Sequence, residues 1–395
     1  MTVIAQLLDE FGALCDSAEN ARRLALWEQP ARGIRGETQW HGVPNFEVGP
    51  GRPAPLTAEC LERMWVAVLG MDIRRFYTDP VYFLEFYLRF KILKFRRFAD
   101  DTPLTRQIPV CFGVTHEAGM LGQKIHFLPG EEPQFGRDPV FGPTDELPKT
   151  FDFSKNEYLR SVAIPYHKKV KELAGREFQV QFPQWYRGPQ GVALYVRGFE
   201  NFSLDLYDDP AFAHRTLRYV TDAAKAFARW RADYCGEPIE PCDLFNDDMQ
   251  LMGPEFYGEF FLPYEQELSD FHGGVAYWHS CGDVTKHVPE VCRLRGIGLL
   301  DFGVTMESKE EGMKGLPGPQ VLELRVFAKP HIQEASEADQ KAYVRGIVQA
   351  CARRGIRKYV IRTSGMSTLL GGERDIGKLA RWVELAREVQ AEGPA

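Results

Sequence analysis

The strongest constraint on the fold is a regular alternation of short strand patterns and helix patterns from about Glu177 to the end of the chain. Strands that alternate with helices over about 220 residues indicate a parallel sheet, because a helical crossover returns the chain to start the next strand in the same direction. About seven or eight such units favour a closed α/β barrel of the (β/α)8 type, a TIM barrel, over an open sheet. Neither GxGxxG after an early strand nor GxxxxGK[ST] occurs, which further disfavours a nucleotide-binding open sheet.

The same patterns predict the individual elements. The expected strands are Phe178–Phe182, Phe202–Asp205, Cys242–Asp247, Val275–His279, Leu299–Val304, Val321–Val326 and Lys358–Thr363. The clearest helix patterns cover 210–234, 254–271, 337–353 and 373–391. Residues 1–65 carry two helix patterns and a Gly/Pro-rich connection, so they are expected to form an N-terminal helical extension, with the barrel in 66–395.

Composition excludes several classes of protein. The chain has 395 residues and a net charge of -7, whereas a nucleic-acid-binding protein normally has a basic face. No apolar run approaches the roughly 20 residues that a membrane helix needs, and no secretory signal is recognisable, so a cytoplasmic protein without membrane contact is expected. Eight cysteines are scattered without a CxxC pair, which indicates reduced thiols.

The stretch from Val275 to Asp283, VAYWHSCGD, carries the clearest chemistry. Four strand-forming residues lead into His279 and Cys281, and alternate residues of an extended segment point to the same side. Imidazole nitrogen and thiolate sulfur are both zinc ligands, so these two side chains can converge on one ion. A buried core histidine beside an inert thiol is an equally open interpretation of this stretch.

Polar residues recur at the expected C-terminal ends of the strands, where (β/α)8 enzymes have their active sites. Any one of them could be a helix cap or part of a structural ion pair, but their coincidence on one face of the barrel predicts a site. They are Gln181, Asn246, Asp247, Asp248, His279, Cys281, Asp301, Glu323, Arg325, Arg362, Thr363 and Ser364. An earlier apolar strand that begins near Ile108 ends in His116 and Glu117, which are further candidates.

Several segments together resemble the uroporphyrinogen decarboxylase superfamily. They are FNDDM at 245–249, GPEF at 253–256, FLPY at 261–264 and HSCGD at 279–283, and the likeness covers about 65–390. The HxCG element points to the zinc-dependent methyltransferase branch, which moves methyl groups between corrinoid proteins and thiols or folates. The arginine-rich N-terminal motif of true uroporphyrinogen decarboxylases has no counterpart here, so porphyrin decarboxylation is the weaker interpretation. The resemblance implies a (β/α)8 barrel and a zinc-dependent methyltransferase that uses a corrinoid or methoxylated methyl donor.

The chain departs from that branch at the third zinc ligand. The methyltransferases have a cysteine just after the last strand, but this region reads IRTSGMST at 361–368. Either a carboxylate such as Asp247, Asp248 or Glu323 completes the site, or the metal has been lost. The resulting predictions assign metal binding to His279, Cys281 and Glu323, catalysis to Asp247, Asp248 and Arg325, and substrate binding to His116, Glu117, Asn246, Asp301 and Arg362.

Two other functions stay open. A cofactor-free decarboxylase or lyase would hold an acidic substrate with Arg325 or Arg362 and use Asp247 or Asp248 for charge stabilisation or proton transfer. A degenerate barrel would bind a ligand without turnover. For methyl transfer, no DxHxxG corrinoid-binding motif occurs, so a corrinoid would act only as an external carrier, presented by a corrinoid protein. The other expected partner is a small-molecule substrate, and a homodimer is compatible with the sequence.

Overall fold

A computed structural model describes residues 2–29, 40–303 and 305–392. In those residues the helices are α1 Val3–Cys15, α2 Ala18–Leu24, α3 Glu62–Leu69, α4 Ile73–Thr78, α5 Pro80–Arg97, α6 His116–Met120, α7 Ile164–Ala174, α8 Pro189–Arg197, α9 Phe199–Asp208, α10 Pro210–Cys235, α11 Pro254–Phe256, α12 Leu262–His272, α13 Val288–Val291, α14 Met306–Lys314, α15 Glu337–Arg354 and α16 Gly372–Glu392. The strands are β1 Leu56–Thr57, β2 Gln107–Pro109, β3 Ile125–His126, β4 Gln134–Phe135, β5 Gln179–Gln181, β6 Cys242–Phe245, β7 Val275–His279, β8 Ile297–Asp301, β9 Leu322–Phe327 and β10 Tyr359–Ser364.

Eight of these strands form the barrel, which confirms the predicted fold class. A six-stranded parallel sheet has the order β1, β10, β9, β8, β7, β6, and β2 pairs in parallel with β5. A single parallel bridge between Arg187 and Phe245 connects the β5 side to β6. On the other side, the Asp101 amide donates to the Leu56 carbonyl at 2.7 Å shortly before β2 begins. The antiparallel pair β3 and β4 lies outside this series.

The strands of the barrel alternate between two environments, as the pleat of a strand requires. Trp278, Leu300 and Leu324 belong to the large apolar core that includes the helices. Tyr277 and Leu299, one residue earlier than Trp278 and Leu300, belong to a separate buried cluster in the barrel interior. Residues two positions apart therefore share the interior, which brings the polar side chains of several strands together.

The predicted strand Phe202–Asp205 is wrong, because these residues lie in α9. Phe202 and Leu206 are buried four residues apart, so a helix presents both to the core, whereas Leu204 and Tyr207 are exposed. The other predicted strands overlap β5 to β10, and the four predicted helix ranges are confirmed. Val304, the last residue of one predicted strand, lies outside the described residues.

The range 1–65 contains α1, α2, β1 and the start of α3. Because β1 pairs with β10, part of this range contributes a strand to the barrel. The division at residue 65 stays a prediction, and residues 30–39 of it lie outside the described residues. No helix in the described part of the chain combines the length and apolar character of a membrane span.

Candidate metal centre

A cavity of about 340 Å³ opens at the C-terminal ends of the barrel strands. It lies where the sequence pattern predicts a site, because side chains that follow parallel strands meet at this end of the barrel. The residues that line it are Glu59, Leu61, Glu62, Tyr77, Cys111, Gly113, Val114, Glu132, Tyr186, Phe245, Asp247, His279, Cys281, Arg325, Phe327, Arg362, Ser364 and Gly365. Asp247, His279 and Arg325 therefore share one cavity, as their strand register predicts.

Asp247, His279 and Cys281 form a cluster of three potential metal ligands. Their ligand atoms all lie within 4.8 Å of one another. The His279 Nε2 atom is 3.3 Å from the Cys281 sulfur and 3.3 Å from Asp247 Oδ1. Asp247 also accepts a hydrogen bond from the Cys281 amide at 3.1 Å, which ties the turn after β7 to the turn after β6. Within the described residues, these three form the group whose potential ligand atoms lie close enough together to hold one ion.

The orientation of the His279 ring is set by a buried carboxylate behind it. Asp301 is fully buried, and its Oδ2 accepts from His279 Nδ1 at 2.6 Å. This bond leaves Nε2 facing Cys281 and Asp247. A carboxylate that binds the second ring nitrogen of a histidine ligand is the usual support of a metal site.

The charges around His279 favour its protonated form in the absence of metal. Burial alone would lower the pKa of His279, but the charge of Cys281 and the hydrogen bonds with Asp247 and Asp301 raise that pKa well above its ordinary value. A metal ion would take the place of the Nε2 proton, so metal binding at this cluster is expected to release protons.

Below the cluster, buried ion pairs fill the barrel interior. Arg325 donates from Nε to Asp301 at 2.8 Å, and from its two terminal nitrogens to the carbonyls of Cys281 and Ser280. Arg325 thereby fixes both Asp301 and the backbone that carries Cys281. Burial alone would raise the pKa of Asp301, but Arg325 and His279 lower it, so the carboxylate stays ionised.

Glu323 is the centre of a second group of buried contacts. Its Oε1 accepts from Arg362 Nε at 2.6 Å and from the Tyr277 hydroxyl at 2.5 Å, and Arg362 also binds Glu59. Burial alone would raise the pKa of Glu323, but Arg362 and His41 lower it to about 2. The structure thus places this carboxylate among positive and hydrogen-donating groups, outside the cluster of Asp247, His279 and Cys281.

Glu323 is therefore not placed as the third metal ligand, in contrast to the prediction. Of the three carboxylates weighed from the sequence, Asp247 is the one with an oxygen near the potential ligand atoms of His279 and Cys281. Asp248 lies 3.7 Å from Arg187 and is absent from the cavity lining. Burial raises the pKa of Asp248, and Arg187 opposes that rise.

Four predicted substrate-binding residues, His116, Glu117, Asn246 and Asp301, are not part of the cavity lining, whereas Arg362 is. The Asn246 side chain donates to Glu265 at 2.9 Å, on the helix side of the barrel wall. His116 and Glu117 begin α6, and Glu117 accepts from the amides of Tyr186 and Arg187 at 2.9 and 3.1 Å. The short strand β2 ends at Pro109 and the chain turns before it reaches His116, so His116 and Glu117 do not extend from a strand end as expected.

The sequence interpretation missed four residues that support the cluster. Arg187 donates to Asp247 Oδ2 at 2.9 Å, and Tyr277 contacts His279 Nδ1 at 3.2 Å. Glu59 and His41 complete the contacts around Arg362 and Glu323. Of these four, only Tyr277 could have been found from the sequence, because it precedes His279 by two residues on the same strand and so points to the same side.

The donor set fits a zinc ion. Imidazole nitrogen, thiolate sulfur and carboxylate oxygen are all zinc ligands, and three protein ligands with an open fourth position are typical of catalytic sites. Cys281 is exposed to the cavity, so a substrate atom could reach the open position. The hydrogen bond between His279 and Asp301 supplies the outer support that such sites have.

Comparisons with known proteins match this chain to a family model and to methyltransferases. The family model for uroporphyrinogen decarboxylase (URO-D) matches residues 95–316. A methylated-thiol--coenzyme M methyltransferase of Methanosarcina mazei is 26% identical over 194 residues, which cover 48% of this chain and 50% of that protein. The chain thus spans about half the length of this curated relative. A solved structure of a methyltransferase from Methanosarcina mazei superposes with a TM-score of 0.56 at 15% identity, covering 85% of this chain and 95% of the other.

Proposed function

Because this chain belongs to the uroporphyrinogen decarboxylase family, matched over 95–316, we propose that it is a zinc-dependent methyltransferase. The proposed reaction moves a methyl group from a corrinoid carrier or a methoxylated substrate to a thiol or folate acceptor. The two relatives are methyltransferases, and the name of one specifies a methylated thiol and coenzyme M. The single observation that carries the proposal is the convergence of Asp247, His279 and Cys281 at the open end of the barrel.

The proposed metal site would be held by these three side chains. A bound zinc ion would act as a Lewis acid and lower the pKa of a substrate thiol, so that the thiol is ionised at neutral pH. In the transfer, the acceptor sulfur bonds to the methyl carbon while the bond between that carbon and the carrier breaks, and the electron pair of the broken bond stays on the carrier. The thiol proton is lost to solvent or to a base in the cavity.

The chain contributes orientation to this reaction. Asp301 holds His279, Arg187 holds Asp247, and Arg325 holds the carbonyl of Cys281, so each proposed ligand has its own support. Phe245, Phe327 and Tyr186 line the cavity, whose volume of about 340 Å³ suits a small substrate. The methyl carrier is proposed to be presented from outside, at the cavity opening, by a separate corrinoid protein.

The metal-free decarboxylase or lyase is less well supported. It requires Arg325 or Arg362 to hold a substrate carboxylate. Arg325 instead binds Asp301 and two backbone carbonyls, and Arg362 binds Glu323 and Glu59. A substrate carboxylate would have to compete with buried protein carboxylates that already bind these guanidinium groups.

Zinc content tests the proposal. Protein purified without chelator and then supplied with zinc is expected to hold about one equivalent, and to transfer a methyl group from methylcobalamin to a thiol. The Cys281→Ser variant should lose the zinc and the transfer activity but stay folded, because a catalytic site of this kind does not hold the barrel together. The matched control is Cys292→Ser, at a half-buried thiol that is not part of the cavity lining, and it should retain both. Wild-type protein that binds less than about a tenth of an equivalent would overturn the proposal.

A further inference from the structure

The N-terminal segment inserts a histidine into the barrel from the end opposite the cavity. The Val48 amide donates to the Arg357 carbonyl at 2.6 Å, just before β10 begins, so this segment lies at the N-terminal ends of the strands. From there the His41 ring reaches inward, is 4% exposed, and stacks on Tyr277 with 4.2 Å between ring centroids. Its Nδ1 atom is 2.8 Å from Glu323 Oε2.

His41 is the first member of a chain of buried contacts that reaches the metal centre. Glu323 binds His41 through Oε2 and binds Tyr277 through Oε1. The Tyr277 oxygen lies 3.1 Å from Asp301 Oδ2, and the same Oδ2 accepts from His279 Nδ1. Thus three side chains, one each from β7, β8 and β9, connect His41 to the proposed metal ligand His279.

The protons along this chain can be assigned from the chemistry of the groups. Glu323 is ionised and can only accept, so the His41 ring donates from Nδ1. Burial lowers the pKa of His41, which keeps the ring neutral with this one donated proton. Tyr277 has a single hydroxyl proton, and its contact with Glu323 at 2.5 Å is shorter than its contact with Asp301 at 3.1 Å. The proton therefore goes to Glu323, and Asp301 Oδ2 remains available to His279.

We propose that His41 is a positioning residue for the metal centre, acting through Glu323, Tyr277 and Asp301. Arg362 and Tyr277 both bind Oε1 of Glu323, so His41 is what fixes Oε2 and hence the rotation of the carboxylate. If the carboxylate rotates, the Tyr277 proton turns to Asp301 and competes there with His279. The part of this inference that concerns zinc rests on the proposed function, whereas the part that concerns His279 does not.

A purely structural role for His41 predicts a different result from a positioning role. His41→Phe keeps a ring that can stack on Tyr277 but removes the hydrogen bond to Glu323. His41→Asn removes the ring but keeps an N–H donor near the position of Nδ1. A positioning role therefore predicts that His41→Phe disturbs the metal centre and that His41→Asn does not. A role in filling the core predicts that His41→Asn is the disturbed variant.

The first measurement is the zinc dissociation constant, obtained by competition with a chromophoric chelator. His41→Phe should weaken zinc binding by about tenfold, the lower end of the effect of outer partners of metal ligands, and His41→Asn should stay within about threefold of wild type. The control is His167→Phe, at another buried histidine, which binds the Val180 carbonyl outside the cavity. Wild-type affinity in His41→Phe, or a loss in His41→Asn alone, would overturn the inference.

The second measurement does not need zinc. In the zinc-free protein, the Nδ1 proton of His279 should give a strongly downfield proton NMR resonance, because it is held at 2.6 Å by Asp301. This resonance can be assigned to His279 because it should disappear in the Asp301→Asn variant. The resonance should move or broaden in His41→Phe and persist in His41→Asn and His167→Phe. If wild-type protein failed to bind zinc, the proposed function would be wrong. The role of His41 would be overturned separately, by an unchanged His279 resonance in His41→Phe.

Discussion

The substitution Asp301→Asn tests the support of the proposed metal ligand most directly. Asparagine keeps the shape of the side chain but removes its charge. It also places a donating N–H2 group next to the N–H donors of His279 and Arg325. The carboxylate is fully buried and accepts from His279 Nδ1 at 2.6 Å and from Arg325 Nε at 2.8 Å. If the amide N–H2 faces His279, it favours the tautomer whose proton is on Nε2, the atom that a metal ion needs.

The size of the effect follows from these contacts. Loss of a carboxylate partner of a metal-binding histidine weakens metal binding by about 10- to 100-fold, which corresponds to about 1.4–2.8 kcal/mol of binding free energy. Arg325 also loses a buried ion pair, so the free energy of unfolding should fall by about 3–5 kcal/mol. Domains are typically stable by about 5–15 kcal/mol, so the variant should remain folded at 25 °C.

Asp205→Asn provides a matched control. Asp205 is paired with Arg197 through the same kind of contact, Nε to carboxylate at 2.8 Å, and this pair lies on α8 and α9 away from the cavity. Both variants should lose stability in urea denaturation, but only Asp301→Asn should lose zinc affinity in a chelator competition. Zinc binding within twofold of wild type in Asp301→Asn would refute the role given to this carboxylate.

Two other perturbations have defined outcomes. Asp247→Asn should reduce methyl transfer by about 100-fold or more. The free energy of unfolding should change by only about 1–2 kcal/mol, because the Asp247 side chain is 18% exposed; wild-type turnover would make Asp247 structural. His116 lies outside the cavity, and burial together with Arg231 lowers its pKa to about 3. Below about pH 6.5 the unfolded chain binds a proton at this residue that the folded chain does not, so His116 alone should lower the free energy of unfolding by about 2 kcal/mol between pH 7 and pH 5. His116→Asn should lose about 2 kcal/mol less over the same range in urea titrations, and an equal loss in both proteins would contradict a neutral His116.

The elements that the sequence predicts correctly are those with a strong local pattern. Val275–His279 is a buried apolar run that ends in polar residues, and helix 210–234 has a proline at its start and Gly236 directly after its end in the structure. β1 was missed because it has only two residues, and its pairing with β10 depends on contacts more than 300 residues away in sequence. Phe202–Asp205 was misassigned because four residues do not distinguish a strand from one face of a helix.

The site could be predicted as far as the register of the strands determines it. Asp247 follows β6, His279 ends β7 and Arg325 lies two residues before the end of β9, so the parallel arrangement of the strands brings them to one end of the barrel. The role of Glu323 could not be settled in this way, because it depends on whether its carboxylate turns toward His279 or toward Arg362. His41 lies within the Gly/Pro-rich connection, with no periodic pattern around it, so its insertion into the barrel leaves no signal in the sequence.

The barrel wall is not equally strong all the way round. Between β5 and β6 the described chain has one parallel bridge, at Arg187 and Phe245, whereas β9 and β10 pair over six consecutive residues. Local opening costs least where few backbone hydrogen bonds hold neighbouring segments, so amide hydrogens near Tyr186 and Gly188 should exchange with solvent sooner than those of β7 to β10. Arg187 at this seam also holds Asp247, so each transient opening of the wall would loosen one ligand of the proposed metal centre while His279 and Cys281 stay on the intact side.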